Sequence, residues 1–220
     1  MDKRKFISSK PSVESPTKKK KERKIDYEES DDENNDDLIS CEGNHIYFYN
    51  SVNTKSILQL IKHIKNLNIK LLSMQNDIKI KYNSSIDLYI YLHINSCGGN
   101  LTDAFAAINY IKKSEIPIIS IIDGYAASAA TLLSIVCNKR QITNDSCMLI
   151  HQLSSSSSGT FDQINDDHTN NILLQNKIKK IYIENSNSKL TNKKLDIILK
   201  QDLMWDANKC LENGLVDEII

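Results

Sequence analysis

A serine, a histidine and an aspartate in the second half of the chain carry the side chains that nucleophilic catalysis requires. Ser128 lies among alanines in the segment Asp123–Ala130, His151 directly follows the apolar run Cys147–Ile150, and Asp202 lies in a short polar link. A hydroxyl becomes an effective nucleophile when a neighbouring imidazole removes its proton and a carboxylate holds that imidazole in the correct tautomer. The residue types therefore predict acyl transfer, with Ser128 as nucleophile, His151 as general base and Asp202 as the group that orients the histidine.

Two backbone amides are predicted to stabilise the negative charge that develops on the substrate. The pair Gly98-Gly99 follows one predicted strand, and Ser128 follows the next strand along the chain. The chain has only six glycines, so a pair here indicates backbone that cannot carry side chains, because φ is positive or a ligand approaches closely. We expect the N–H groups of Gly99 and Ala129 to form an oxyanion hole, in which each donor contributes about 3–4 kcal/mol to the barrier reduction.

Each of these residues also has a purely structural interpretation. A serine among alanines is most often a packing residue, a histidine at a sheet edge is more often structural than catalytic, and an aspartate between two helices often caps one of them. The histidines for which we see only the structural interpretation are His45, His63, His93 and His168. The combination of serine, histidine, aspartate and glycine pair favours catalysis more strongly than any single member does.

Two strand patterns and the helix between them place the glycine pair and Ser128 at one edge of a parallel sheet. Aliphatic residues alternate with other residues over Ile86–Ile94, which is the period of a strand with one buried face. A helical repeat over Leu101–Ile111 leads to a second strand, Ile116–Ile122, and a further helix extends through Val136. Right-handed crossovers put the carboxyl ends of such strands at the same edge, where α/β proteins bind ligands. The chain is therefore predicted to be an α/β protein.

The remaining elements follow from shorter patterns. A polar linker is predicted over Gln75–Ser85, before the strand at Ile86. Asp206 is predicted to cap a helix that ends at Gly214, because glycine readily adopts the left-handed backbone that terminates helices. The other predicted strands are 45–49, 138–142, 147–150 and 215–219, and the other helices are a segment containing Ile57–Leu67, a long helix from Thr160 to about Glu184, and Leu190–Lys200.

Residues 1–42 differ in composition from the rest of the 220-residue chain. They contain the basic run Lys18–Lys24 and an acidic block over Asp26–Asp37, with few large apolar residues. Such a segment buries too little apolar surface to offset the entropy of ordering it, so we predict a disordered charged tail followed by one domain over residues 43–220. The alternative for the basic run is a nuclear-import or nucleic-acid-binding patch, whereas nucleic-acid binding by the domain is not expected.

Cysteine usage and hydropathy predict an intracellular protein. The five cysteines are widely spaced and form no CxxC pair, which indicates free thiols in a reducing compartment rather than a disulfide framework or a zinc site. The longest run of small apolar residues, Ala126–Cys137, is too short to span a bilayer, and no signal peptide is visible. We therefore expect a cytoplasmic location without membrane association, with the nucleus as the alternative.

Four motifs together resemble a known family. The chain is similar to the proteolytic subunits of the Clp protease, ClpP, at INSCGG (Ile94–Gly99), GYAASAA (Gly124–Ala130), MLIHQ (Met148–Gln152), and WDANKCLENGLVDEI (Trp205–Ile219) with Asp202 before it. The motifs occur in the same order and at compatible spacing, and the resemblance covers about residues 43–220. It implies the ClpP/crotonase-like fold, an α/β fold with repeated β-β-α units, parallel sheets, flanking helices and a protruding handle helix.

The same resemblance implies an activity and an assembly. It assigns the catalytic triad to Ser128, His151 and Asp202, and the oxyanion donors to Gly99 and Ala129. It implies a serine endopeptidase that cleaves unfolded polypeptides through an acyl-enzyme, inside a homo-oligomer of heptameric rings that stack as a tetradecamer. It also implies an AAA+ unfoldase as partner. This chain has no GxxxxGK[ST] phosphate loop, so we expect no cofactor in it and a use of ATP only through that partner.

Some residues depart from the pattern of that family and keep alternatives open. Cys97 replaces the usual proline before the glycine pair, Ser128 and His151 are slightly closer in sequence than usual, and the serine run Ser154–Ser158 replaces a glycine-rich segment that aligns substrate. The main alternative is therefore a catalytically weak subunit that scaffolds or regulates a mixed Clp ring. A crotonase-type acyl-CoA enzyme is a further alternative, because that fold also uses paired backbone oxyanion donors.

Overall fold

The structure, a computed structural model, describes residues 39–220. The predicted tail up to position 38, with its basic run Lys18–Lys24, lies outside the described residues. The last part of that tail was predicted wrongly, because Ile39–Glu42 forms strand β1. This strand pairs antiparallel with the strand that follows it, and Ile39 is buried. Pairing of this kind is supplied by backbone groups and needs no long apolar run in the sequence.

An eight-stranded sheet organises the described residues. Besides β1, its strands are β2 (His45–Phe48), β3 (Ile90–Ser96), β4 (Ile118–Ala127), β5 (Lys139–Ile142), β6 (Cys147–Leu149), β7 (Met204–Asp206) and β8 (Glu218–Ile219). The order is β1-β2-β3-β4-β5-β8, and all of these neighbours are parallel except β1 and β2. Strand β6 pairs in parallel with the carboxyl-terminal part of β4 and antiparallel with β7. This mostly parallel sheet with its helices confirms the predicted fold class.

The helices within residues 39–220 are α1 (Thr54–Tyr82), α2 (Leu101–Lys112), α3 (Ala129–Ile135), α4 (Phe161–Asn185), α5 (Asn192–Ile198) and α6 (Ala207–Glu212). All except α3 begin after a residue whose side chain accepts a hydrogen bond from an amide of the first turn, as helix N-caps do. Asp206 accepts from the amide of Lys209 at the start of α6, and Gly214 has a φ of 71° just after that helix. Both the predicted cap and the predicted stop are confirmed.

The core lies between the sheet and helices α1, α2 and α3. Ile90, Leu92 and Ile94 of β3 are fully buried and share one face of the strand, because side chains alternate with a period of two. Helix α1 buries one apolar stripe at helical spacing, made of Ile57, Leu60, Ile61, Ile64, Leu67 and Leu71. This packing fixes the carboxyl ends of β3 and β4, where the glycine pair and Ser128 lie.

Several predicted boundaries were wrong, and the reasons are tertiary. Strand β3 begins at Ile90 rather than Ile86, because its pairing with the neighbouring strands begins only there. Helix α1 continues to Tyr82 through most of the linker predicted over Gln75–Ser85. Strand β4 continues to Ala127, beyond the predicted strand end at Ile122, because β6 pairs with its carboxyl-terminal residues. Strand β7 was not predicted, and it forms by pairing with β6.

Helix α4 matches the predicted long helix and stands away from the domain. Among its residues, Ile178 and Tyr182 near the carboxyl end are buried, whereas Phe161 at the amino end is 79% exposed. A helix that is anchored near one end protrudes at the other, as predicted for the handle helix.

Candidate active site

Ser128 lies in a tight turn between the end of β4 and the start of α3. Its φ of 53° is positive, a conformation that costs a non-glycine residue about 1–3 kcal/mol and often persists at functional sites. Its amide donates to the carbonyl of Leu149 at 2.8 Å, and its carbonyl accepts from the amide of Thr131 at 3.1 Å. Although Ser128 occupies the N-cap position of α3, its side chain makes no capping hydrogen bond. The backbone is therefore held on both sides, while the hydroxyl has no hydrogen-bond partner among residues 39–220.

The glycine pair lies directly beside this turn. A Cβ atom on Gly98 would lie 2.6 Å from the carbonyl oxygen of Ala127 and 2.8 Å from Cβ of Ser128. Gly99 has a φ of 146°, and a Cβ atom there would lie 2.3 Å from the carbonyl oxygen of Val52. Both positions combine a positive φ with a backbone approach that excludes any side chain. The predicted reason for glycine at this pair is confirmed.

One cavity of about 290 Å³ brings together all of the predicted site residues except the aspartate. Gly99, Ser128, Ala129 and His151 line it. Within residues 39–220, neither the Gly99 amide nor the Ala129 amide donates a hydrogen bond to the protein. Two unpaired N–H donors thus lie beside a free hydroxyl and an imidazole, which is the set of groups that acyl transfer uses.

His151 and Asp202 lie on two links that contact each other. The amide of Gln152 donates to the carbonyl of Leu199 at 2.8 Å, which joins the segment after β6 to the end of α5. Asp202 follows shortly after this contact, is exposed, and does not line the cavity. In the described part of the chain, no hydrogen bond joins the Ser128 hydroxyl to His151, or His151 to the Asp202 carboxylate. The role of Asp202 therefore stays a prediction.

Two residues that were not predicted from the sequence contact the turn at Ser128, named the nucleophile turn after the predicted role of Ser128. The hydroxyl of Thr131 donates to the Ser128 carbonyl at 2.6 Å and lies 2.5 Å from the hydroxyl of Tyr182. Tyr182 also lines the cavity. A hydroxyl three residues after a turn residue is a local signal for a side-chain bond to that residue's carbonyl, and it would have identified Thr131. Tyr182 is far away in sequence and carries no comparable signal.

The serine run lies along α4 and continues the wall of the site. The amide of Leu153 donates to the Gln175 side-chain oxygen at 2.7 Å. Asn171 donates to the hydroxyl of Ser155 at 2.6 Å, and the hydroxyl of Ser157 donates to a carboxylate on α4. The segment after His151 begins at the wall of the cavity and is hydrogen-bonded to α4.

Comparison with known proteins identifies the family. A family model described as Clp protease matches residues 42–220. The chain belongs to the Clp protease family. One relative, the ATP-dependent Clp protease proteolytic subunit 1 of Chlamydia pneumoniae, is 33% identical over 134 residues, which cover 58% of this chain and 68% of the relative. Another, the ATP-dependent Clp protease proteolytic subunit of Streptococcus mutans serotype c, is 30% identical over 133 residues, which cover 60% of this chain and 68% of the relative.

Membership of the Clp protease family confirms the resemblance to ClpP and the predicted class of enzyme, a serine-type peptidase. It favours peptide hydrolysis over the acyl-CoA alternative. In the described residues, no group of three or more His, Cys, Asp or Glu side chains is placed to hold a metal ion. Among the helices of residues 39–220, none is both long enough and apolar enough to cross a membrane.

Proposed function

We propose that this Clp family member hydrolyses peptide bonds of unfolded polypeptides through an acyl-enzyme on Ser128. His151 takes the proton of the Ser128 hydroxyl as its oxygen attacks the substrate carbonyl carbon, and the imidazolium then gives that proton to the leaving amine. In the second half of the reaction, His151 takes a proton from water, which attacks the acyl-enzyme, and returns a proton to Ser128. Asp202 holds His151 in the tautomer that accepts the proton from the serine.

The observation that carries this proposal is the cavity shared by Ser128, His151 and two unpaired amides. The N–H groups of Gly99 and Ala129 are available to the oxygen that becomes negative in the tetrahedral intermediate. Removing one such donor from a serine protease costs about 10²–10³ in kcat. Hydrogen bonds between catalytic side chains are often long before substrate binds and shorten in the complex. These roles are therefore compatible with a structure in which, within residues 39–220, Ser128 and His151 line one cavity without a hydrogen bond between them.

The proposal includes a cytoplasmic homo-oligomer of heptameric rings, stacked in pairs and supplied with unfolded chains by an AAA+ unfoldase. The names of the relatives above describe ATP-dependent proteases. This sequence contains no GxxxxGK[ST] phosphate loop, so the proposal places ATP use on the unfoldase. The protruding helix α4 carries exposed apolar residues, which form a surface that subunit association would bury. They are Phe161, Ile164, Ile172 and Leu173. An internal chamber would restrict a broad peptidase to chains that are already unfolded.

A serine-directed fluorophosphonate probe tests the chemistry. We expect the assembled wild-type protein to be labelled on Ser128 and to hydrolyse a fluorogenic peptide. Ser128→Ala should not be labelled and should lose about 10⁶-fold in kcat, while native mass measurement should show the same rings for both proteins. Assembled wild-type protein that neither reacts with the probe nor cleaves peptide contradicts the proposal.

A second candidate function is the catalytically weak subunit of a mixed Clp ring. It is favoured by the exposed position of Asp202, which makes no hydrogen bond to His151 within the described residues. Co-purification with a second Clp subunit discriminates between the two candidates. A chain that is inert in its own rings and found in mixed rings with an active subunit supports the scaffold.

A further inference from the structure

Helix α4 and the nucleophile turn are joined by a directed chain of hydrogen bonds. The Tyr182 hydroxyl lies 2.5 Å from the Thr131 hydroxyl, which lies 2.6 Å from the carbonyl oxygen of Ser128. A carbonyl oxygen only accepts, so the single hydroxyl proton of Thr131 goes to Ser128. Thr131 must then accept from Tyr182. The chain therefore runs from Tyr182 through Thr131 to Ser128.

This chain is shielded from water. Tyr182 is 2% exposed and Thr131 is 0% exposed. Burial raises the pKa of the Tyr182 hydroxyl, although its bond to Thr131 opposes the effect, so the hydroxyl keeps its proton at any pH at which peptidases work. Hydrogen bonds in a low-dielectric interior are strong and polarise one another along a chain. Loss of the Tyr182 hydroxyl would leave the Thr131 oxygen buried without its donor, which weakens the bond to Ser128.

The geometry of the peptide bond extends this effect to the predicted oxyanion hole. The carbonyl of Ser128 and the N–H of Ala129 belong to one peptide unit, which is planar and trans. They point in opposite directions, so any rotation of that plane that moves the carbonyl also moves the N–H. The plane follows a residue with a φ of 53°, and a strained conformation of this kind persists only where its surroundings over-determine it. The Ser128 carbonyl accepts from both the amide and the hydroxyl of Thr131, and the hydroxyl makes the shorter bond.

We propose that Thr131 and Tyr182 are positioning residues, which hold the Ser128 carbonyl and thereby orient the Ala129 N–H toward the reacting oxygen. The oxyanion role rests on the proposed function. The immobilisation of the peptide plane between Ser128 and Ala129 does not, because it follows from the hydrogen bonds alone. One consequence is that α4 contacts the nucleophile turn through a polar link as well as through apolar packing.

Three variants separate the hydroxyl groups from the shapes of the side chains. Tyr182→Phe and Thr131→Val remove one hydroxyl each, and Thr131→Ser keeps the hydroxyl. We expect the first two to lower kcat for a fluorogenic peptide about tenfold, less than complete loss of an oxyanion donor, with KM within about twofold. Thr131→Ser should restore most of the activity. The double variant Thr131→Val/Tyr182→Phe should lose little more than either single variant, because both substitutions break the same chain.

Ser134→Ala is the matched control. Ser134 lies on the same short helix, is buried, and pairs its hydroxyl with that of Ser120 at 2.8 Å. Its removal should destabilise the domain about as much as Thr131→Val does and should leave kcat unchanged. The pH profile of kcat/KM should be the same in all variants, because none of them alters a group that titrates during catalysis.

Hydrogen exchange at the Thr131 amide gives a readout that needs no activity, since this amide donates to the Ser128 carbonyl. We expect faster exchange in Tyr182→Phe and Thr131→Val than in wild type or Ser134→Ala. In an active enzyme, unchanged kcat and unchanged probe labelling of both variants would overturn the positioning role, whatever the exchange shows. If the wild type is inert toward probe and peptide, the proposed function fails, and the exchange rates alone decide whether Thr131 and Tyr182 hold the plane.

Discussion

Two clusters of this domain differ in how completely their polar groups are paired. One is the Arg140 cluster, formed by Arg140, Asp217 and the groups bonded to them, and the other is the candidate catalytic cluster, the residues proposed to carry out the reaction. In the Arg140 cluster the guanidinium is 4% exposed and donates to both carboxylate oxygens of Asp217 and to the carbonyls of Asn185 and Gly214. Asn187 adds a further hydrogen bond to Asp217 at 2.8 Å. The chain itself supplies all of these partners, so the cluster is complete within one subunit.

The candidate catalytic cluster consists of Ser128, His151 and Asp202, whose side chains form no hydrogen bond to one another within the described residues. Every fully buried side-chain nitrogen or oxygen in residues 39–220 has a hydrogen-bond partner. Within the described residues, the fold therefore pairs the polar groups that it buries, whereas the three side chains proposed to exchange partners during the reaction are not paired with one another. Substitutions in the Arg140 cluster should change stability, whereas those in the candidate catalytic cluster should change activity.

Asp202→Asn should show the largest difference between the two clusters, because it should lower activity and leave stability nearly unchanged. Loss of the carboxylate leaves His151 without the group that selects its tautomer, and the corresponding change in a known serine protease lowers kcat about 10⁴-fold. Because Asp202 is exposed, we expect the free energy of unfolding in urea to change by less than about 0.5 kcal/mol. The control is Asp145→Asn, which replaces an exposed aspartate in a turn. A peptidase whose kcat survives Asp202→Asn does not use this aspartate.

Asp217→Asn should have the opposite result, with a large loss of stability and unchanged activity of the folded protein. It leaves the buried guanidinium of Arg140 without its charged partner, which in buried pairs costs about 3–5 kcal/mol. We expect the free energy of unfolding in urea to fall by about 3 kcal/mol, at the lower end of that range, because 24% of the Asp217 side chain is exposed. Probe labelling of Ser128 in the folded fraction should be unchanged. Glu218→Gln, in the exposed pair with Lys139, should have a much smaller effect, and an equal effect would show that burial of Arg140 is unimportant.

Acid should weaken the Arg140–Asp217 pair, with a smaller effect on stability than the substitution has. Burial by itself would raise the pKa of the Asp217 carboxyl, but the hydrogen bonds and charge of Arg140 outweigh it and hold that pKa below its ordinary value. A carboxylate whose pKa is lower in the folded chain stabilises the fold at pH values above the pKa that it has in the unfolded chain, near 4. This stabilisation is lost as the pH falls through the pKa of the folded chain. The difference in unfolding free energy between wild type and Asp217→Asn should therefore shrink below about pH 4. A difference that stays constant down to about pH 2 would contradict the assigned pairing.

The sequence predicted the parts of the site that depend on local chemistry. Gly98 and Gly99 could be identified because a positive φ and a close backbone approach leave no alternative residue. Ser128 and His151 could be placed because each directly follows a strand, and parallel strands end at a common edge. Strand β7 and the extension of β4 to Ala127 could not be predicted, because each exists through pairing with β6 rather than through a pattern of its own.

By itself, then, the sequence determined the α/β class, the order of the main elements, the family and four of the residues that meet at the cavity. Local periodicity and residue chemistry suffice for these, since they are properties of short segments. The tertiary structure alone decided that Tyr182 of α4 contacts Thr131 of α3, that Arg140 is buried against Asp217, and that Asp202 does not line the cavity. Such contacts join residues far apart in the chain, and they depend on how packed elements orient their side chains in space.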